Sequence, residues 1–222
     1  VNTGNQLGTA QDINLLNIHQ GAVGDCYFLS TLSGLIYQRG AQSVANLFHQ
    51  NNDGGYSIDY TDVHSVAQQI SVTPVTDLEV ATGAYSAGSG QWLSYMEKAF
   101  GDVLMSPEYS FIYFGTTPAT PGSIYSLATF YDGMTASQLP IGQYYSAFKF
   151  LTGHEVYEFT NSYNASSTDY TLVNTYADNP VSANITLGAK VTPANMVSLI
   201  DPLLAQGRVM VLGTPVDTKE LN

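Results

Sequence analysis

From Cys26 onward the chain places Phe28, Leu29, Leu32, Leu35 and Ile36 at the three- and four-residue intervals that turn one face of a helix inward. The spacing predicts a helix from Cys26 to about Arg39, stopped by Gly40, with Ala41 to Gln50 as a short second helix. The turn signal Asn51-Asn52-Asp53-Gly54-Gly55 opens the alternation Tyr56, Ile58, Tyr60 of a short strand, and a second strand around Ile70 to Val75 makes a small antiparallel piece. Residues 76 to 90 read as a Gly-, Ser- and Ala-rich loop. The helix after it carries Trp92, Met96 and Ala99 on one face and Glu97-Lys98 in its last turns. Residues 106 to 123 form another loop, and Ser126 to Phe130 and Gly142 to Phe150 read as helical.

From Tyr157 the apolar period changes. Tyr157 and Phe159, then Tyr170, Leu172 and Asn174 to Tyr176, read as strand pieces, and the segment from Met196 to Thr214 as a helix, a stop at Gly207 and a buried strand. The expected organisation is α+β, with a helical lobe over residues 1–153, entered through an irregular polar arm, and the opening part of a β-rich lobe over 154–222.

The 222 residues, 44% of them hydrophobic, suffice for a folded core. Six basic residues against eighteen acidic ones leave a net charge of -12, which argues against nucleic acid and against anionic membrane surfaces as partners. No apolar run approaches the ~18 residues of a membrane span. A surface poor in lysine and rich in hydroxyl groups suits a secreted or extracytoplasmic bacterial protein, and the start at Val1-Asn2 reads as a trimmed or mature end. Asn164-Ala165-Ser166 and Asn184-Ile185-Thr186 are formal glycosylation sequons that such a composition produces by chance.

A single cysteine excludes an internal disulfide and leaves one thiol to explain. Cys26 sits where a glycine-rich turn runs into the first helix. The unpaired N–H groups and partial positive charge of a helix start stabilise an anionic sulfur there and make it a nucleophile. Elsewhere a free cysteine is most often a small buried hydrophobe. Gln20, six residues earlier, offers an amide donor for a developing oxyanion, and Gly21 and Gly24 permit a tight backbone path.

The block Gln20-Gly21-Ala22-Val23-Gly24-Asp25-Cys26-Tyr27-Phe28-Leu29 resembles the active-site motif of the calpain family of papain-like cysteine peptidases, with Tyr27 where that family usually has Trp. A second block, Trp92-Leu93-Ser94-Tyr95-Met96-Glu97-Lys98-Ala99-Phe100, is similar to the family's Trp-x-x-x-x-Glu-Lys-Ala-Tyr helix. Weaker echoes lie at Leu151-Thr152-Gly153 and at Leu203 to Thr214. The resemblance implies a papain-like α+β fold and a cysteine endopeptidase acting on polypeptides through an acyl-thioester. Cys26 would be the nucleophile and Gln20 the oxyanion donor, with no cofactor required for the chemistry.

Such an enzyme needs a histidine as proton shuttle and an Asn or Asp to orient it. His19, His49 and His64 read as loop or surface residues. His154 follows Cys26 by 128 residues, near the ~130–150 of papain-type enzymes, and Asn179-Pro180 follows it by 25. The order of the blocks favours a different arrangement, in which the His and Asn come from beyond Asn222, either simply cut off where this sequence stops or carried on a C-terminal fragment of the same protein separated by autoprocessing in the loop Pro215 to Asn222. Some calpains bind calcium through an Asp three residues before the Gln. Asn17 stands there, a poorer ligand for a hard cation, with Asp12 and Glu97 as the acidic residues left to contribute. Two other readings are a calpain-like binding module without activity and a secreted adhesion or carbohydrate-binding domain with Tyr-rich loops and a merely buried Cys26.

Overall fold

A computed structural model of the chain describes residues 7–23, 25–62, 64–86, 90–104, 142–154, 156–161, 170–176 and 190–211. The expected loop at 106–123, the helix at 126–130, Asn179-Pro180, both sequons and the segment 215–222 lie outside the described residues.

The architecture is α+β. The helices are α1 (Cys26–Arg39), α2 (Ala41–Ala45), α3 (Asp77–Thr82), α4 (Trp92–Leu104), α5 (Gly142–Thr152) and α6 (Pro193–Ala205). Strand β1 (Ile18–His19) pairs antiparallel with β5 (Tyr85–Ser86). Strands β2 (Phe48–Gln50), β3 (Tyr56–Thr61) and β4 (Ala67–Val72) form a three-stranded antiparallel sheet in that order. Strands β6 (Val156–Asn161), β7 (Tyr170–Tyr176) and β8 (Lys190–Val191) form another, beginning just after the expected boundary at 153.

The stripe read from the sequence is the buried face of α1: Phe28 and Leu32 have no exposure and Leu35 has 2%. Phe28 stacks on Phe100 of α4 with ring centroids 4.3 Å apart, and Phe100 meets the edge of Phe150 of α5 at 5.3 Å. Phe150 in turn stacks on Tyr60 of β3 at 5.3 Å. This run of rings joins α1, α4, α5 and the first sheet, and offset-stacked and edge-to-face contacts of this kind add to simple burial.

Four expected elements differ. The second helix ends at Ala45, and Phe48–Gln50 is a strand instead, because pairing Phe48 with Ile58 satisfies the edge of β3 and sets the Phe48 ring against Tyr56. The strand expected at 70–75 runs from Ala67 to Val72, its register set by the turn in which Asp62 accepts hydrogen bonds from His64 and Val66 N–H; Pro74, just beyond, has no N–H to continue the ladder. Within the expected loop 76–90 lie α3 and β5. Helix α3 opens on a capping box: Thr76 Oγ1 accepts from Glu79 N–H at 3.2 Å and Glu79 Oε2 accepts from Thr76 N–H at 2.7 Å. Finally, residues 208–211 of the expected buried strand take no strand conformation, Arg208 N–H donating instead to Leu203 O at 3.0 Å and Met210 being about half exposed, while 212–214 lie outside the described residues. This stretch is held at the C-terminal end of α1, where Gln38 Nε2 donates to Leu204 O at 2.9 Å and Arg39 Nε to Gly207 O at 3.0 Å.

Candidate active site

Cys26 is the first residue of α1 and is exposed, although the neighbours on either side, Asp25 and Tyr27, are buried. The loop leading to it is pinned at several points. An ideal Cβ on Gly21 would fall 2.1 Å from Gly83 O, so only glycine lets the backbones approach this closely, and Ala22 N–H donates to Thr82 O at 2.7 Å. Val23 is buried, and the Gln20 side chain is folded onto the loop with Nε2 donating to Val23 O at 2.8 Å. A primary amide has two N–H bonds, so this contact orients the Gln20 donor without exhausting it.

Helix α4 supports this loop from below. Glu97 Oε2 accepts from Ala84 N–H at 2.7 Å and Ser94 Oγ donates to Ala84 O at 3.0 Å, so both backbone groups of Ala84 are bound by α4 side chains. Lys98, the next residue, pairs with Glu79 of α3 at 3.0 Å, both side chains being 4% exposed. Burial raises the Glu79 carboxyl, but the bonds from Thr76 and Lys98 outweigh it and leave the group below its usual range. The helical pattern places Glu97 and Lys98 in the last turns of a core-packing helix. The helix continues to Leu104 and both residues are buried.

Asp25 is the N-cap of α1, yet its side chain makes no capping bond to the helix. It is fully buried and lies within hydrogen-bonding reach of Glu97, which is also fully buried. Burial pushes Asp25 up to about 6, and burial together with the Asp25 charge pushes Glu97 up to about 9. Both residues stand inside the sequence blocks that carry the family resemblance, but their pairing was not legible there. The signal was an acidic residue in each case flanked by apolar positions; the partner lay far along the chain.

The histidines are placed as follows. The His154 ring is held below its usual pKa by burial first, then by the charges of Arg208, Arg39 and Lys149. Arg39 ends the helix that Cys26 begins, thirteen residues and so ~20 Å away at ~1.5 Å per residue. His154 thus belongs to the far end of α1. His19 on β1 stacks on Tyr85 of β5 with centroids 5.0 Å apart, His49 Nε2 meets Asp59 Oδ2 at 2.7 Å on the exposed edge of the first sheet rather than on a helix end, and His64 is in the β3–β4 turn. No hydrogen bond joins any of the four to the Cys26 sulfur. Gln20 and Cys26 share one loop, and His19, which adjoins it, is stacked on Tyr85 and makes no bond to the sulfur.

The residues weighed for calcium are used otherwise. Asn17 Nδ2 donates to Asp12 O at 3.1 Å, Asp12 Oδ2 accepts from Thr9 N–H at 2.6 Å and from its hydroxyl at 2.8 Å, and Glu97 is enclosed between Ala84 and Asp25. Among the described residues no three His, Cys, Asp or Glu side chains converge as metal ligands. Comparison of the chain with protein-family models, with curated proteins and with solved structures yields no match.

Proposed function

We propose that this chain is the nucleophile-bearing part of a calpain-like cysteine endopeptidase with a papain-like α+β fold. The observation that carries the reading is the exposure of Cys26 at the first position of α1 between two buried neighbours. A cysteine kept for packing would be turned inward with them. The Cys26 sulfur attacks the carbonyl carbon of a peptide bond, and the oxyanion that forms is met by the Cys26 backbone N–H and the Gln20 amide. A histidine that has taken the thiol proton gives it to the leaving amine as the C–N bond breaks, and water then hydrolyses the acyl-thioester. On this reading that histidine and its orienting Asn come from a C-terminal fragment of the same protein, a placement supported by the lack of a hydrogen bond between Cys26 and any of the four histidines.

Two measurements test this. An epoxysuccinyl peptide should alkylate Cys26 of the complete protein far faster than it alkylates the same thiol in the urea-unfolded chain; equal rates would sink the reading. Replacing His154 by Ala should leave kcat/KM within a few-fold of the unaltered enzyme, since the charges that act on the ring include Arg39, at the end of α1 opposite to Cys26. A loss as large as that from removing the nucleophile would make His154 the proton shuttle.

A further inference from the structure

Asp25 and Glu97 are both completely buried. Among the described residues neither Asp25 oxygen meets a side-chain donor, the one backbone contact on this carboxyl being from Asp25 itself, and while Glu97 Oε2 is taken by Ala84 N–H, Glu97 Oε1 has no such partner. What each carboxyl has left is the other. The titratable groups on the surrounding elements are occupied or turned away: Lys98 of α4 is bonded to Glu79 of α3, His19 of β1 is stacked on Tyr85 of β5, and Cys26 is exposed. Among the described residues, the charge that acts on Glu97 is that of Asp25, and the side chain that meets Asp25 is that of Glu97.

Two adjacent carboxylates that are both fully buried, and to which no described cation is paired, are unfavourable when both are ionised, and the low-cost state places one proton between them. We propose that Asp25 and Glu97 share a single proton which fastens the start of α1, and with it Cys26, to α4, and that loss of this proton at alkaline pH releases the Cys26 loop. Glu97 acts on both sides of that loop. One oxygen holds Ala84, next to the Thr82-Gly83 segment on which Gly21 and Ala22 rest, and the other holds Asp25. When the proton leaves, like charges push the two walls apart. Both carboxyls then count as positioning residues for the proposed peptidase, an assignment that rests on that reading, whereas the shared proton itself does not.

The sign follows from the raised folded values, about 6 and about 9, against about 4 in an unfolded chain. The folded protein holds a proton that the unfolded chain has released. This contribution to stability is complete below the unfolded range, declines as pH rises, and is gone above about 9.

The test uses the full chain labelled with 13C at glutamate side-chain carboxyls. The Glu97 resonance should titrate well above neutrality, and hydrogen-exchange protection of the Ala84 amide should be lost over the same pH range. In Glu97→Gln the side-chain amide can donate to Asp25 while its carbonyl accepts from Ala84, so protection should persist at alkaline pH. In Asp25→Asn the Glu97 titration should move down toward the ordinary carboxylate range. Assayed as the complete protein, Glu97→Gln should lack the alkaline fall in peptide hydrolysis expected of the unaltered protein. A Glu97 carboxyl titrating in the ordinary range in the unaltered protein, or Ala84 protection falling identically in Glu97→Gln, overturns the shared proton. The resonance and exchange measurements require no proteolysis. A protein that shows both effects yet hydrolyses nothing overturns the peptidase reading and upholds the pair.

Discussion

Replacing Cys26 by Ala in the complete protein is expected to reduce kcat/KM for peptide hydrolysis by on the order of 10⁴–10⁶-fold, the scale on which removal of a covalent nucleophile acts in hydrolases built this way. Folding should be almost untouched. The side chain is exposed at the helix start, so its removal opens no cavity, and exposed substitutions commonly change stability by within about 0.5 kcal/mol. The pairing of a large kinetic loss with an unchanged thermal midpoint separates a nucleophile from a packing cysteine, for which the order would be reversed. Hydrolysis that continues at the original rate would remove Cys26 from the chemistry and leave a binding module or an adhesion domain as the reading to pursue.

Phe28→Ala should have the largest effect on stability, about 3–5 kcal/mol. The ring is completely buried, lies 4.3 Å from Phe100 centroid to centroid and 6.3 Å from Phe150, and so connects α1 to α4 and α5 at once. The helices that meet there cannot close around a methyl group without moving, so most of the volume would persist as a cavity. Urea unfolding should show a lower midpoint at an unchanged slope, as expected when the folded state is weakened and the unfolded state is not. Because Phe28 lies in the first turn of α1, two residues from Cys26, a further loss of peptide hydrolysis by the fraction still folded is expected. A destabilisation under about 1 kcal/mol would mean that the ring cluster is loosely packed and that α1 is held by other contacts.

Much of the framework was legible locally. The stripe Phe28, Leu32, Leu35 marked α1 correctly, the Asn51–Gly55 turn correctly preceded β3, and Gly40 ended the helix as read. Helix α3 has a local signature too: Thr76-Asp77-Leu78-Glu79 is a capping box, set inside a stretch whose glycines and serines read as a loop. Phe48–Gln50 failed for a different reason. Its residues suit a helix continuing from Ala45 or an edge strand, and hydrogen bonding to β3 decided for the strand. In α4 the pattern located the helix but not the burial of Glu97 and Lys98, since the groups that make burial tolerable there, Ala84, Asp25 and Glu79, stand outside it.

By itself the sequence determined that a lone thiol begins an amphipathic helix, that Gln20 precedes it in a glycine-bearing loop, and that the chain holds four histidines. These are properties of spacing along one stretch of chain, where the helical repeat leaves few alternatives. The tertiary structure alone decided that Cys26 faces solvent while Asp25 turns inward, that His154 sits at the opposite end of α1, and that Asp25 finds Glu97. Those outcomes depend on contacts between residues far apart in the chain, and periodicity carries no information about which distant side chain a buried carboxyl will meet.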